Sequence, residues 1–549
     1  MKQDKIAGLF RDFDRAVEIN RQNLYQILRD NRKTEYGRKM AFAQIEDVQA
    51  YQESVPLTIY EDYDGLCKHM RYTAYPIAYR IATSGTTGAQ KVFALTKEAL
   101  NRYGSYICDM AYYHYGGRSG PHMHTSVFRL NKEGENLLSA AYHGWLKEEG
   151  FLDPAAYVGG ENLLFADHIT DVFYVKTWLL LCCPSLVSIQ SIFLYDVLLI
   201  MQYLEINWRS VLADMRACLK AEGELGQHCL QRGNAQMPAC LEMQELQVRQ
   251  ELLACLPEEA ILVQMEKVLE EGFDTPILPR LFKNLHFISG IGSKSMEFQT
   301  KALARYIGDV HICYFAYASS ECMMGVAPYP GRAEYVLLPY SAYYEFLGED
   351  GEMTQMSDLV EGACYEPVIT TFSGLYRYRT GDSIRICGYE GQAPVFEVAG
   401  RKQTMNIAGE KLGEQMVQRA VADWAERFKI TLSDYAVGVE QTVPGRYLVF
   451  VETAPDDSLW TADRTIGKKD KNLRTIPENA GIVLDGILQE MSEDYQDIRT
   501  LGMLRELRVL SCRPGYIAKA AAGEGHSKHH TFIKEAQTKR LLHTYEREQ

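Results

Sequence analysis

Residues 83 to 91, Thr83-Ser84-Gly85-Thr86-Thr87-Gly88-Ala89-Gln90-Lys91, place two glycines and four hydroxyl side chains between two apolar runs. The strand-like run Tyr79-Arg80-Ile81-Ala82 enters this stretch and Val92-Phe93-Ala94-Leu95 leaves it, which predicts a loop at the tip of a hairpin. Thr96 then stands as an N-cap for a helix beginning at Lys97. Glycine permits positive φ and close approach, and successive backbone N–H groups in such a loop form a concave anion nest. Lys91 adds a positive charge at its end, so the loop reads as a phosphate cradle or, more plainly, as a Gly/Ser/Thr connection. It is not a Walker A loop, because the spacing is Gly-x-x-Gly-x-x-Lys and Val92 occupies the position of the metal-binding hydroxyl.

At 549 residues the chain exceeds a typical single core, and its length suggests roughly three to four units. The 58 Lys and Arg against 72 Asp and Glu leave a net charge of −14, which argues against nucleic acid or an anionic membrane as the main partner. An acidic protein that binds a nucleotide must concentrate positive charge locally. Thirteen cysteines occur without a CxxC pair, and Met1-Lys2-Gln3-Asp4-Lys5 leads into an amphipathic stretch rather than a signal peptide. Free buried thiols in a reducing cytoplasm follow. From Trp178 to Leu204 the only charge is Asp196, but Pro184, Ser185, Ser188, Gln190 and Ser191 interrupt the run. Two buried helices around a short turn are expected there, not a membrane span.

The rest of the chain divides by pattern. Residues 5–50 and 205–275 read as helical, and residues 280–400 as short strands and turns. Beyond Arg401, helices are expected over 413–428 and 477–493, a hairpin around Pro444-Gly445, and a final strand over 506–511.

Two later motifs give the glycine-rich loop its meaning. Tyr317-Ala318-Ser319-Ser320-Glu321 follows an apolar run; its small residues allow close packing against a base or sugar, and Glu321 could hold Mg²⁺ near phosphates. The alternative is a strand followed by a polar turn. Tyr378-Arg379-Thr380-Gly381-Asp382 precedes another strand, and a carboxylate such as Asp382 suits two ribose hydroxyls. The alternative there is an ordinary Gly-Asp turn.

Together and in this order, the three motifs resemble those of the adenylate-forming superfamily of acyl-CoA synthetases, peptide-synthetase adenylation domains and luciferases. A narrower resemblance rests on Tyr317 to Cys322, Ala342 to Leu347, Tyr365-Glu366-Pro367-Val368 leading to Gly374-Leu375-Tyr376-Arg377, Val55 to Asp62, Asn207-Trp208 and Glu493-Asp494-Tyr495. Over most of its length the chain is similar to the plant auxin-responsive acyl acid amido synthetases (the Gretchen Hagen three family) and their bacterial relatives. The loop departs from the usual plant Ser-Ser-Gly-Thr-Ser, and residues 121–145 do not follow the plant acyl-binding segment, so substrate identity does not carry over.

The resemblance implies an adenylate-forming α/β fold. A large N-terminal α/β domain, residues 1–400, would combine β-sheets packed with helices and a small β-barrel-like part; residues 401–549 would form a smaller mobile C-terminal α+β cap. It implies ATP and Mg²⁺ as cofactors, and a small carboxylic acid and an amino acid as substrates. Thr83, Ser84, Gly85, Thr86, Thr87, Gly88 and Lys91 would bind phosphates. Tyr317, Ala318, Ser319, Ser320, Asp382 and Arg401 would bind the nucleotide, and Glu321 the metal. Lys528 would serve as the C-terminal catalytic lysine, with Lys519 and Lys534 as rivals; its plain reading is a solvated charge. Two alternatives stay open: transfer of the acyl group to CoA, and a non-catalytic nucleotide-binding protein.

Overall fold

A computed structural model of the chain describes residues 2–83, 91–104, 120–131, 133–166, 169–225, 239–291, 303–401, 404–430, 432–453, 477, 479–512, 517, 532–533 and 535–548. Its backbone packs as two units that divide between Lys402 and Gln403.

The first unit carries three sheets. Strands β1 (Ile77–Thr83) and β2 (Lys91–Thr96) form the expected antiparallel pair, with Thr83 opposite Lys91; β4 (Glu135–Asn136) joins β1 in parallel. Thr96 caps the helix Lys97–Tyr103 by accepting from the Ala99 N–H at 3.2 Å. A second sheet is wholly parallel, in the order β3 (His122–His124), β5 (Ser188–Phe193), β6 (Phe287–Ile291), β7 (His311–Cys313). Helices Val172–Cys182 and Leu194–Leu225 flank β5.

That arrangement corrects the expected helix-turn-helix over residues 178–204: a strand, not a short turn, separates the helices. The strand Ser188–Phe193 carries Ser188 and Gln190 on one side and Ile189 on the other, so in sequence its polar residues read as breaks in a longer apolar run. None of the described helices is long and apolar enough to cross a membrane.

The third sheet has nine strands in the order β12 (Met353–Thr354), β11 (Ala342–Gly348), β13 (Cys364–Thr371), β15 (Asp382–Glu390), β16 (Ala393–Arg401), β10 (Tyr335–Leu337), β9 (Met323–Val326), β8 (Ala316–Ala318), with β14 (Tyr378–Arg379) also paired to β13. The turn out of β13 passes through Gly374 at φ +97°, where a Cβ would lie 2.9 Å from the Tyr72 Cβ, so only glycine fits without displacement. The helix Ala16–Asn31 packs on this sheet; Asn20 and Asn23 donate to the carbonyls of Tyr344, Pro339 and Ala342 at 2.7–3.0 Å.

The second unit is α+β. Strands β19 (Leu432–Glu440) and β20 (Arg446–Thr453) form the expected hairpin, and β21 (Arg508–Cys512) adds in parallel to β20. Its core gathers Ala436, Leu448, Phe450, Leu510 and Leu541. Trp424, in the helix Glu414–Arg427, is buried and donates to the Ala480 carbonyl at 2.9 Å. Between the short pair β17 (Thr404–Met405) and β18 (Leu412–Gly413), the buried Glu410 carboxylate accepts from the N–H groups of Ile407 and Ala408 at 2.7 Å and from the Tyr447 hydroxyl.

Candidate active site

The Tyr376–Asp382 segment is held by Arg377. Its guanidinium pairs with Glu345 at 3.1 Å and donates to the carbonyls of Gln52 and Val55 at 2.9 Å; the two charged side chains are only 7% and 0% exposed. Arg377 sits at φ +45°, a conformation uncommon outside glycine that persists only where surroundings enforce it. The buried fork supplies that enforcement. Beside it the backbone bridges to Thr58: Thr58 N–H donates to the Arg377 carbonyl and Arg379 N–H to the Thr58 carbonyl, each at 2.9 Å.

Tyr378 is thereby set between three other parts of the chain. Its ring meets Phe93 edge-on at 6.1 Å and Tyr63 at 6.3 Å, and its hydroxyl donates to Glu321 Oε1 at 3.5 Å. Glu321 lies at the end of a tight turn closed by Ser319 N–H on the Cys322 carbonyl at 3.0 Å. Cys322 itself is buried against the carbonyls of Met323 and Ser341, and burial pushes its thiol up to about 12.

Asp382 follows Gly381, whose φ of +72° makes the turn, and accepts a hydrogen bond from the Tyr317 hydroxyl. Glu366 fixes the same turn, accepting from Gly381 N–H at 3.0 Å and pairing with Arg379 at 2.8 Å. Tyr317 is braced edge-on by Phe396 at 5.6 Å. Asp382 lies opposite Arg401 in the β15–β16 register.

At the hairpin, Lys91 Nζ stands 4.0 Å from Glu61 and 5.2 Å above the Tyr60 ring, and the Tyr60 hydroxyl accepts from the Val92 N–H at 2.8 Å. Contacts therefore run from Lys91 through the rings of Tyr60, Phe93 and Tyr378 to Glu321, while Tyr317 and Asp382 form a separate pair, each four positions along the chain from Glu321 and Tyr378 respectively. Among the expected site residues, the structure links Lys91 to Glu321 through aromatic rings and Tyr317 to Asp382 directly, with Ala318, Ser319 and Ser320 in the strand and turn between Tyr317 and Glu321. Ser84, Gly85, Thr86, Thr87, Gly88 and Lys528 lie outside the described residues, as do the side chains of Thr83 and Arg401.

Sequence reasoning did not find Thr58, Tyr60, Glu61 or the Arg377–Glu345 pair. The signal was present, since Val55 to Asp62 and Tyr376-Arg377 carry part of the family resemblance, but nothing in their spacing shows what they touch.

Two carboxylates are oriented by tyrosine hydroxyls, and a lysine stands at the base of the hairpin. Hard oxygen donors suit Mg²⁺, and the ammonium suits phosphate, so these residues fit a magnesium nucleotide.

Models of the GH3 family N-terminal, central and C-terminal domains match residues 7–312, 335–401 and 415–537 respectively. A probable indole-3-acetic acid-amido synthetase, GH3.1 of Arabidopsis thaliana, is 25% identical over 484 residues, covering 82% of this chain and 79% of its own. The indole-3-acetic acid-amido synthetase GH3.15 of the same plant is 28% identical over 503 residues, covering 82% and 80%. The solved structure of the GH3.15 acyl acid amido synthetase in complex with 2,4-DB shares the fold, with a TM-score of 0.63 and 23% identity over 98% of this chain and 95% of that one. With the three domain models following one another along most of its length, the chain belongs to the GH3 family.

Proposed function

We propose that this protein is an ATP-dependent acyl acid–amino acid ligase. It activates a small carboxylic acid as an acyl-adenylate with release of pyrophosphate, and then joins the acyl group to an amino acid as an amide with release of AMP. The observations that carry the reading are the path of contacts from Lys91 through Tyr60, Phe93 and Tyr378 to Glu321, and the Tyr317–Asp382 pair in the same unit of the chain.

The first step sets one anion against another, a carboxylate oxygen attacking the α-phosphorus of ATP. Its barrier is electrostatic and orientational, so the residues must neutralise charge and align the groups. Asp382, held by Tyr317, accepts from the ribose hydroxyls, with Arg401 alongside in the register. Ser84 to Gly88 and Lys91 hold the β- and γ-phosphates and the departing pyrophosphate. Glu321 supplies an oxygen ligand for Mg²⁺, which when bound offsets phosphate charge. Lys528 is assigned to the α-phosphate. In the second step the amine nitrogen attacks the acyl carbonyl carbon and the C–O bond to AMP breaks. The free thiols fit a reducing cytoplasm.

The test is pyrophosphate release from ATP and Mg²⁺ over a panel of acids, each supplied alone, with pooled amino acids and with CoA. Release stimulated by amino acids, with an amide detected by mass spectrometry, is the expected result. Stimulation by CoA with a thioester product, or no release with any acid, overturns the reading.

A further inference from the structure

One face of the parallel sheet is polar across β3 and β5 and at Ser289 of β6, with Phe287 as its apolar member. His124, Gln190 and Ser289 stand in register across β3, β5 and β6, and His122 and Ser188 pair two residues earlier. Side chains alternate along a strand, so these share a face, while Met123, Ile189 and Ile288 take the other. Strands of a parallel sheet are ordinarily apolar on both faces. Tyr157 and His143 come to this polar face from outside the sheet. The Tyr157 hydroxyl donates to Gln190 Oε1 at 2.9 Å, and the His143 ring lies 5.4 Å from that of His124 and stacks at 3.7 Å on Phe128.

Part of the hydrogen-bonding capacity is used internally, since His122 and the Gln190 amide both meet the Ser188 hydroxyl, at 2.8 and 3.2 Å. Three groups are left. His124 Nδ1 accepts from the Ser126 N–H at 3.0 Å, which puts the proton of the neutral ring on Nε2 as a donor. His143 Nδ1 donates to the Ser139 carbonyl at 2.8 Å, which leaves Nε2 an acceptor. Both rings are held neutral by burial, His143 down to about 4. The Ser289 hydroxyl is 1% exposed and has no partner among the described residues. A buried hydroxyl without a partner is costly and calls for an explanation.

The position suggests one. Ligands of open α/β sheets bind outside the carboxyl ends of the strands, and His124 ends β3. Cys313, in register with Ser289, lies four residues before Tyr317, the partner of Asp382, a reach of at most roughly 14 Å.

Resting on the ligase reading above, we propose that this face receives the variable part of the acyl acid, and that the acid carries a hydroxyl or carboxamide remote from its carboxylate. Such a group accepts from His124 Nε2–H and donates to His143 Nε2 or the Ser289 hydroxyl. Phe128 and Tyr157 supply apolar wall.

The test uses the full chain and pairs of acids matched in shape: heptanoate with 6-hydroxyhexanoate, 4-methylbenzoate with 4-hydroxybenzoate, 4-methylpentanoate with succinamate. The expected result is a kcat/KM for pyrophosphate release about tenfold or more higher for the polar member of at least one pair. In Ser289→Ala, and in His143→Phe, which keeps the stack on Phe128, that ratio falls about tenfold. Equal use of both members, preference for the hydrocarbon member in every pair, or an unchanged ratio in the variants overturns the proposal while leaving the ligase intact. No release with any acid overturns both.

Discussion

At the scale of single residues, the proposed chemistry turns on hydroxyls that aim carboxylates. Tyr378 reaches Glu321 and Tyr317 reaches Asp382, and a hydrogen bond to a charged group is worth about 1.5–3 kcal/mol. Tyr378→Phe keeps the ring against Phe93 and removes the bond to Glu321. We expect kcat for pyrophosphate release to fall about tenfold and the Mg²⁺ requirement to rise, with melting unchanged within about 2 °C. Asp382→Asn is expected instead to raise the KM for ATP by about tenfold or more, read in the same assay. A third carboxyl serves neither role. Asp196 accepts only from Ser191 at 3.4 Å, its Oδ1 is enclosed without a partner among the described residues, and burial lifts its carboxyl to about 7 from an ordinary 3.8. The folded chain therefore holds this proton more tightly than the unfolded chain, and stability is lost as pH rises from about 4 to about 7, then levels. Asp196→Asn should remove that slope, gaining up to about 4 kcal/mol over the parent at pH 8 and little at pH 4, as read by melting across pH.

At the scale of elements, the Arg377–Glu345 pair pins the segment that carries Tyr378. Removing one member of a buried pair leaves an uncompensated charge and costs about 3–5 kcal/mol, whereas replacing both with apolar residues is often close to neutral. Urea unfolding of Arg377→Met, Glu345→Met and the double variant checks this: the singles should be strongly destabilised and the double should recover most of the loss. Elements with a clear period were legible in the sequence. The β1–β2 pair, the Thr96 cap and the β19–β20 hairpin each follow from strand-like runs and turn residues close together in the chain. β5 was not legible, because Ser188 and Gln190 look like breaks in an apolar helix until the sheet places them together on one face. Six residues with one short alternation, set between two long apolar helices, leave too brief a periodic trace to be read as a strand.

At the scale of the whole molecule, motif order carried the family reading and geometry carried the site. Order along the chain is readable without contacts. The partnering of Tyr378 with Glu321 across 57 residues, or of Tyr317 with Asp382 across 65, is not. The acidic chain, at net charge −14, gives no long-range attraction to ATP, so binding must depend on local cations. Lys91 and Lys528 should then separate by half-reaction. Lys528→Ala is expected to slow pyrophosphate release about 100-fold or more yet leave amide formation from a supplied acyl-adenylate within about threefold, measured in single-turnover experiments.

Cys322 gives the turn at Glu321 a natural clock. An enclosed thiol that stays protonated at neutral pH does not meet an alkylating reagent until β8 and β9 part. The rate at which Cys322 alone is modified, resolved by peptide mass mapping, therefore reports how often that hairpin opens. A nucleotide seated on Glu321 and Asp382 would slow the modification in proportion to its own occupancy, so occupancy of the site can be followed without any turnover at all.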